Sequence, residues 1–165
     1  RIIRFLNRYH TEMTDVILSH HGTVSQLTGD GIFAFFGAPV AVEEPVWDAV
    51  RAAVGMRDRI AALQEVWREL GMADLRIGIG IHVGLAVVGT IGSLKKLDYT
   101  AIGDNTNVAS RIEGLTKEFH ETILMSGAAY DRVREGVAAR PLGEARIKGH
   151  RPITVYAVDG LIPRT

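Results

Sequence analysis

Apolar residues recur at helical spacing in three long stretches of the chain, and shorter apolar stretches lie between them. The apolar stripe of the first predicted helix consists of Ile2, Leu6, Tyr9, Met13 and Val16. Gly22 is expected to end that helix in a left-handed conformation. The pattern predicts a second helix over about 43–70, a third over about 104–119 and a short fourth over 128–134.

The shorter apolar segments predict strands. They lie at 23–27, 32–36, 75–83, 86–91, 98–102, 123–126, 140–148 and 153–158. Gly78, Gly80 and Gly84 leave one face of the 75–83 strand bare, so that a helix or another backbone can approach it closely. Because helices and strands interleave without strict alternation, the order favours an α+β sandwich, with helices against a mostly antiparallel sheet.

The composition predicts one domain over residues 1–165, with a substantial core. The 19 basic and 19 acidic side chains cancel, which leaves no overall field to attract nucleic acid or an anionic membrane. The absence of cysteine excludes disulfides and thiolate metal sites. With no signal peptide and no apolar run of membrane-spanning length, the sequence predicts a cytoplasmic domain without direct membrane contact, although a longer parent protein can still carry an anchor.

The start of the third predicted helix carries an amide and a guanidinium four residues apart, Asn107 and Arg111. That spacing puts both on one helical face. An Asn can donate to a sugar oxygen and an Arg can fork onto phosphate, so the pair suits a site for the ribose and triphosphate of a nucleotide. The alternative is an ordinary helix start, with Asp104 as the N-cap and both side chains on a solvated face.

A tight turn over 28–31 places one carboxylate, Asp30, between two glycines. That carboxylate can face a cation, although Asp-Gly turns are also common in plain hairpins. His82 is predicted to be a packed or strand-edge side chain, since no second histidine or carboxylate stands two or four residues away. The glycines of 78–89 match neither a dinucleotide fingerprint nor a P-loop.

Six segments resemble, in order and spacing, the catalytic domain of class III nucleotidyl cyclases, the adenylate and guanylate cyclase family. They are GDGIFAFFG at 29–37, RIGIGIHVG at 76–84, VVGTIGS at 87–93, DYTAIGD at 98–104, NVASR at 107–111 and RIKG at 146–149. The resemblance runs from Arg1 to about Val158. It implies a ferredoxin-like sandwich with extra elements, used as a homodimer whose active sites lie at the subunit interface and are built from both chains.

By that resemblance the reaction converts ATP or GTP into the 3′,5′-cyclic monophosphate and releases pyrophosphate. Asp30 matches one of the family's two metal-binding aspartates, which hold two Mg²⁺ or Mn²⁺ ions. Asn107 matches the residue that orients the ribose, Arg111 the residue that stabilises the pentavalent phosphorus, and Lys148 the residue that holds the terminal phosphates. In the family these three come from the subunit opposite the metal-binding one, so a homodimer holds two equivalent sites.

Two departures from the family pattern affect the expected activity. The family's first metal-binding aspartate lies on a strand before the first helix of this chain, so we expect that strand to be missing and the chain by itself to be weakly active or inactive. The base-selecting positions hold Gln26 and Thr100, where adenylate cyclases commonly carry Lys with Asp, or with Thr in some bacterial enzymes, and guanylate cyclases carry Glu with Cys. The Gln amide suits either base, and Thr100 favours ATP over GTP.

Two other classes compete with the cyclase interpretation. A non-catalytic cyclase-like module that dimerises and regulates is favoured by Gln26 and by the absent aspartate, and opposed by the four retained site residues. A diguanylate cyclase is disfavoured, because its Gly-Gly-Asp/Glu-Glu-Phe hairpin has no counterpart in the 28–33 segment. The sequence therefore predicts a nucleotidyl cyclase.

Overall fold

The computed structural model describes residues 2–29, 31–93 and 96–163, with the side chains of residues 26, 28 and 96–98 outside that description. The described residues form two compact units. The first covers those of 1–76 and 88–101, and the second those of 77–87 and 102–165. The single domain predicted over 1–165 stays a prediction.

Helices and strands follow one another in an irregular order, which confirms the predicted α+β class. In chain order the elements are α1 (Ile2–Ser19), β1 (Gly22–Thr28), β2 (Gly31–Phe36), α2 (Pro45–Ala62), α3 (Gln64–Glu69), β3 (Ile79–Ile81), β4 (Val87–Ser93), β5 (Lys96–Ile102), α4 (Asp104–Phe119), β6 (Ile123–Ser126), α5 (Gly127–Val133), a 3₁₀ turn (Arg134–Gly136), β7 (Val137–Ala145) and β8 (Ile153–Leu161). Among the described residues, no helix has both the length and the apolar character needed to cross a membrane.

The core of the first unit lies along α1 and α2. The buried residues of α1 are Phe5, Tyr9, Met13, Val16 and Ile17. Because Ile2 is 61% exposed, the predicted stripe is right from Tyr9 onward but wrong at its start. The residue in the left-handed conformation after α1 is His21, at φ 68°, and Gly22 instead begins β1. Any side chain on Gly22 would meet the ring of Phe36, with a Cβ at 2.7 Å.

The long second helix predicted from the sequence is two helices, α2 and α3. Leu63 interrupts them with φ −106° and ψ 27°. The indole nitrogen of Trp67 donates to the carbonyl of Ile60 at 3.0 Å, and its ring meets Phe5 edge to face at 6.1 Å. Trp67 is 1% exposed. Burial of this large side chain against α1 therefore stabilises the protein more than an unbroken helix would. No Gly or Pro marks the break in the sequence.

The second unit is built on a four-stranded sheet in the order β3-β6-β8-β7. β3 runs parallel to β6, and the other two pairings are antiparallel. This confirms the predicted, mostly antiparallel sheet and its closing hairpin, β7 with β8. α4 packs on β3 and β6. The core cluster of this unit consists of Val108, Ile112, Leu124, Ala145, Ile147, Val155 and Ala157.

β3 is shorter than the strand predicted over 75–83, but its bare face is confirmed. A Cβ on Gly80 would lie 2.7 Å from the carbonyl oxygen of Ala109 and 2.8 Å from the Cα of Glu113. Both atoms belong to the backbone of α4. The helix therefore approaches the strand so closely that only glycine fits at this position.

Candidate functional site

A cleft of about 300 Å³ opens in the second unit at the start of α4. It is lined by Asp104, Asn107, Ser110, Arg111, Ile147, Lys148 and His150. Three predicted site residues, Asn107, Arg111 and Lys148, therefore share one cleft. Two cations beside an amide suit a ligand that carries both phosphates and a sugar.

The burial pattern of α4 explains how Asn107 and Arg111 reach the cleft. Val108 and Ile112, the residues that follow them, are 1% and 0% exposed. A helix that buries these two positions must turn the preceding pair outward, one turn apart on the same face. The helical spacing predicted from the sequence is confirmed, and both side chains are exposed.

The predicted N-cap of α4 is wrong by one residue. Gly103 is the N-cap, at φ 144°, and Asp104 is the first helical residue. A positive φ favours glycine, so a residue with no side chain takes the cap position. The carboxylate of Asp104 instead meets the imidazole of His150, with Oδ2 and Nε2 2.7 Å apart.

Lys148 lies on a tight turn between β7 and β8. The backbone N–H of His150 donates to the carbonyl of Ile147 at 3.0 Å, and Gly149 has φ 83°. A positive φ at the third residue of the turn, without one at the second, is typical of a type II turn and puts Lys148 at the second position. Ile147 is buried in the core cluster, so the exposed Lys148 projects from a turn with one buried end.

Replacing Gly149 with alanine is expected to destabilise the protein by about 1 kcal/mol and to weaken triphosphate binding, because an L-residue is strained at positive φ. Space is not the cause, since, apart from its chain neighbours, no atom of the described residues lies within 4 Å of a Cβ there. Urea unfolding measures the effect. The matched control is Gly114→Ala in α4, which is equally uncrowded and should stabilise by up to about 1 kcal/mol. Equal gains from both substitutions would contradict the turn assignment.

A chain of hydrogen bonds through His82 joins the start of α4 to the sheet. Nδ1 of His82 lies 2.8 Å from the Ser126 hydroxyl, and Nε2 lies 2.9 Å from Oδ1 of Asn105. The Asn105 amide donates to the carbonyl of Leu85 at 2.8 Å, so its Oδ1 is left to accept and Nε2 of His82 must donate. The Ser126 oxygen accepts from the N–H of Ala129. His82 is therefore a packed side chain, as predicted, with both ring nitrogens in hydrogen bonds.

Sequence reasoning missed Asn105 and Ser126 as partners of that histidine. The sheet register supplies the missing information: Ile81 pairs with Met125 in parallel strands, which brings the next residues, 82 and 126, side by side. Asn105 packs directly over Gly84, whose position leaves no room for a side chain. No local pattern in the sequence encodes either contact.

The predicted base-selecting residues belong to the first unit. Gln26 lies in β1 opposite Phe33, with a β-bulge between residues 24 and 26, and its side chain lies outside the described part. Thr100 is half-buried in β5. The Ser25 hydroxyl donates to the carbonyl of Tyr99 at 3.0 Å. The side chain of the residue before Gln26 is therefore hydrogen-bonded to the backbone of the residue before Thr100.

The predicted metal ligand, Asp30, lies outside the described residues. Within the described ranges, no group of three or more His, Cys, Asp or Glu side chains could hold a metal ion. Divalent cations of the magnesium type need several oxygen ligands. The described residues by themselves do not fit such a site.

Comparison with known proteins finds one family throughout. The sequence-family model for the adenylate and guanylate cyclase catalytic domain matches residues 1–160. The chain is 38% identical over 162 residues to adenylate cyclase 1 of Rhizobium meliloti, covering 98% of this chain and 24% of that protein. It is 32% identical over 151 residues to an uncharacterised protein of Mycobacterium tuberculosis, covering 90% of this chain and 25% of that protein.

Two solved structures have closely similar folds. The adenylyl cyclase CyaB from P. aeruginosa matches with a TM-score of 0.88 and 32% identity, over 96% of this chain and 82% of that one. The guanylyl cyclase Cya2 matches with a TM-score of 0.88 and 32% identity, over 97% of this chain and 81% of that one. This confirms the cyclase-type fold. The chain spans about a quarter of the length of the curated relatives it matches.

Proposed function

Because the chain belongs to the family of adenylate and guanylate cyclase catalytic domains, we propose that it converts a nucleoside triphosphate into its 3′,5′-cyclic monophosphate and pyrophosphate. The observation that carries the proposal is the cleft in the second unit, where the family's three substrate-handling positions, Asn107, Arg111 and Lys148, line one space. A solvated helix face explains the first two residues but not their meeting with a lysine from a distant turn.

In the proposed reaction the ribose 3′-oxygen, after losing its proton, attacks the α-phosphorus, and the bond from that phosphorus to the pyrophosphate oxygen breaks. The Asn107 amide donates to the ribose and holds the attacking oxygen in line. The Arg111 guanidinium donates to the oxygens of the α-phosphate, where charge accumulates in the transition state. The Lys148 ammonium holds the terminal phosphates, which depart as pyrophosphate.

Cyclases of this family generally use divalent metal ions, and the proposal includes two Mg²⁺ or Mn²⁺ ions that neutralise phosphate charge when bound. Asp30 is the ligand that the family pattern assigns in this chain. We further propose a homodimer in which Asn107, Arg111 and Lys148 of one subunit face Asp30 of the other, so that two equivalent sites form. We also propose that the protein acts in the cytoplasm, where both triphosphates are present.

The proposed substrate is ATP, with GTP as the alternative. Thr100 occupies the position where some bacterial adenylate cyclases carry Thr, and Gln26 offers both a donor and an acceptor to a base edge. Relatives of each type match this chain, one named an adenylyl cyclase and another a guanylyl cyclase. The proposed preference for ATP over GTP therefore rests on Gln26 and Thr100, and not on similarity to either type of cyclase.

Direct competition between the two substrates tests the proposal. A form of the protein that also carries the family's first metal-binding aspartate is incubated with Mn²⁺ and equal concentrations of ATP and GTP, and cyclic AMP and cyclic GMP are quantified by mass spectrometry. We expect cyclic AMP in excess. Cyclic GMP in excess would overturn the ATP assignment alone. A folded dimer that binds nucleotide but forms neither product would overturn the enzyme assignment in favour of the regulatory module.

A further inference from the structure

We propose that Asp104 and His150 form a latch that positions Lys148 for the terminal phosphates, an inference that rests on the proposed function of the cleft. The residue roles implied by the family resemblance above include neither Asp104 nor His150. Asp104 is the first residue of α4 and His150 ends the turn between β7 and β8. Their contact therefore joins the two elements that carry the proposed substrate ligands.

The pair makes a short ion-pair contact between an imidazole and a carboxylate. Oδ2 of Asp104 and Nε2 of His150 lie 2.7 Å apart, a distance at which a protonated imidazole strongly attracts a carboxylate. The His150 side chain is 20% exposed, against 70% for Asp104. The His150 side chain is therefore packed by its surroundings, whereas the Asp104 side chain extends to it from the helix.

The latch completes the anchoring of the turn. Ile147, which precedes Lys148, is 6% exposed and packs in the core cluster with Val108 and Ile112 of α4. His150 ties the other end of the turn to the first residue of the same helix. With both ends held against α4, Lys148 projects from a fixed frame toward the face that carries Arg111.

A purely stabilising role is disfavoured, because ion pairs with an exposed partner contribute little to folding stability. A role in positioning Lys148 does not require a large contribution to folding stability. Binding of the terminal phosphates depends on where the ammonium of Lys148 lies, and a displaced turn weakens that contact without unfolding the protein.

The test measures binding of 3′-deoxy-ATP, which lacks the attacking oxygen, by calorimetry in the presence of Mn²⁺. Asp104→Asn and His150→Gln are each expected to weaken binding about tenfold, and the double variant no further, because both act through one contact. In a Lys148→Ala background neither substitution should have an additional effect. His150→Lys, which keeps a cation facing Asp104, should restore most of the affinity.

The matched control is Asp131→Asn, which breaks the exposed Asp131–Arg134 pair of the same unit and should leave binding unchanged. Thermal melts confirm that each variant is folded. With substrate, the two latch substitutions should raise KM and leave kcat nearly unchanged.

Additive losses in the double variant, or a His150→Gln effect that persists in the Lys148→Ala background, would overturn the latch. The latter result would mean that His150 binds phosphate directly. Tight analogue binding without cyclic product, by the form that also carries the family's first metal-binding aspartate, would instead contradict the proposed function alone. The two failures are therefore distinguishable.

Discussion

Replacing Arg111 with alanine is expected to slow cyclic-nucleotide formation about 1,000-fold, because one preorganised cation at the reacting phosphate contributes on that scale. The side chain is exposed in the cleft, so its loss leaves no cavity and the protein should keep its thermal midpoint. Mass-spectrometric measurement of kcat/KM for cyclic AMP formation gives the result. Asn107→Ala should lower kcat/KM about 100-fold, because the ribose is then poorly oriented for attack.

The matched control for Arg111 is Lys117→Ala. Lys117 is an exposed cation in the last turn of the same helix and does not line the cleft. Its removal changes the charge of α4 by the same amount, but should leave kcat/KM within about twofold, as expected for a surface substitution away from the site. Equal losses from the two substitutions would mean that only net charge matters, and full activity of Arg111→Ala would remove that residue from the site.

Gly80→Ala is expected to destabilise the second unit by about 3 kcal/mol, the upper range for overpacking against a rigid neighbour. The added Cβ would meet backbone atoms of Ala109 and Glu113, and backbone cannot rotate away as a side chain can. α4 must therefore shift or the strand must bend. Because α4 also carries Asn107 and Arg111, the variant should lose activity together with stability.

Urea unfolding followed by circular dichroism measures the effect of Gly80→Ala. Gly89→Ala in β4 is the matched control, since, within the described part of the chain and apart from its neighbours, no atom lies within 4 Å of a Cβ there, and the change should stay within about 1 kcal/mol. An unchanged urea midpoint for Gly80→Ala would show that α4 yields without penalty. It would also contradict the close approach between helix and strand.

Some elements follow from the sequence to the residue. α4 at Asp104–Phe119 and β6 at Ile123–Ser126 have the predicted bounds, because a strong apolar period and flanking polar residues define both locally. Boundaries set by other parts of the chain were predicted wrongly. The break at Leu63 depends on the burial of Trp67 against α1, a contact that helical spacing cannot report.

The candidate site divides in the same way. The i, i+4 relation of Asn107 and Arg111 is local and was predicted correctly, and the family resemblance added Lys148. The contact between His150 and Asp104 was not predicted, because it joins a turn to a distant helix. The catalytic roles of these residues, and of Asp30, Gln26 and Thr100, stay predictions.

By itself the sequence determined the α+β class, the helical face that carries Asn107 and Arg111, the bare face at Gly80 and the family to which the chain belongs. These depend on period, residue size and motif order, which are properties of neighbours along the chain. Only the tertiary structure decided where α2 ends, how His82 is bonded and which residue faces Asp104. Such contacts depend on sheet register and on the packing of segments far apart in sequence, so no local pattern encodes them.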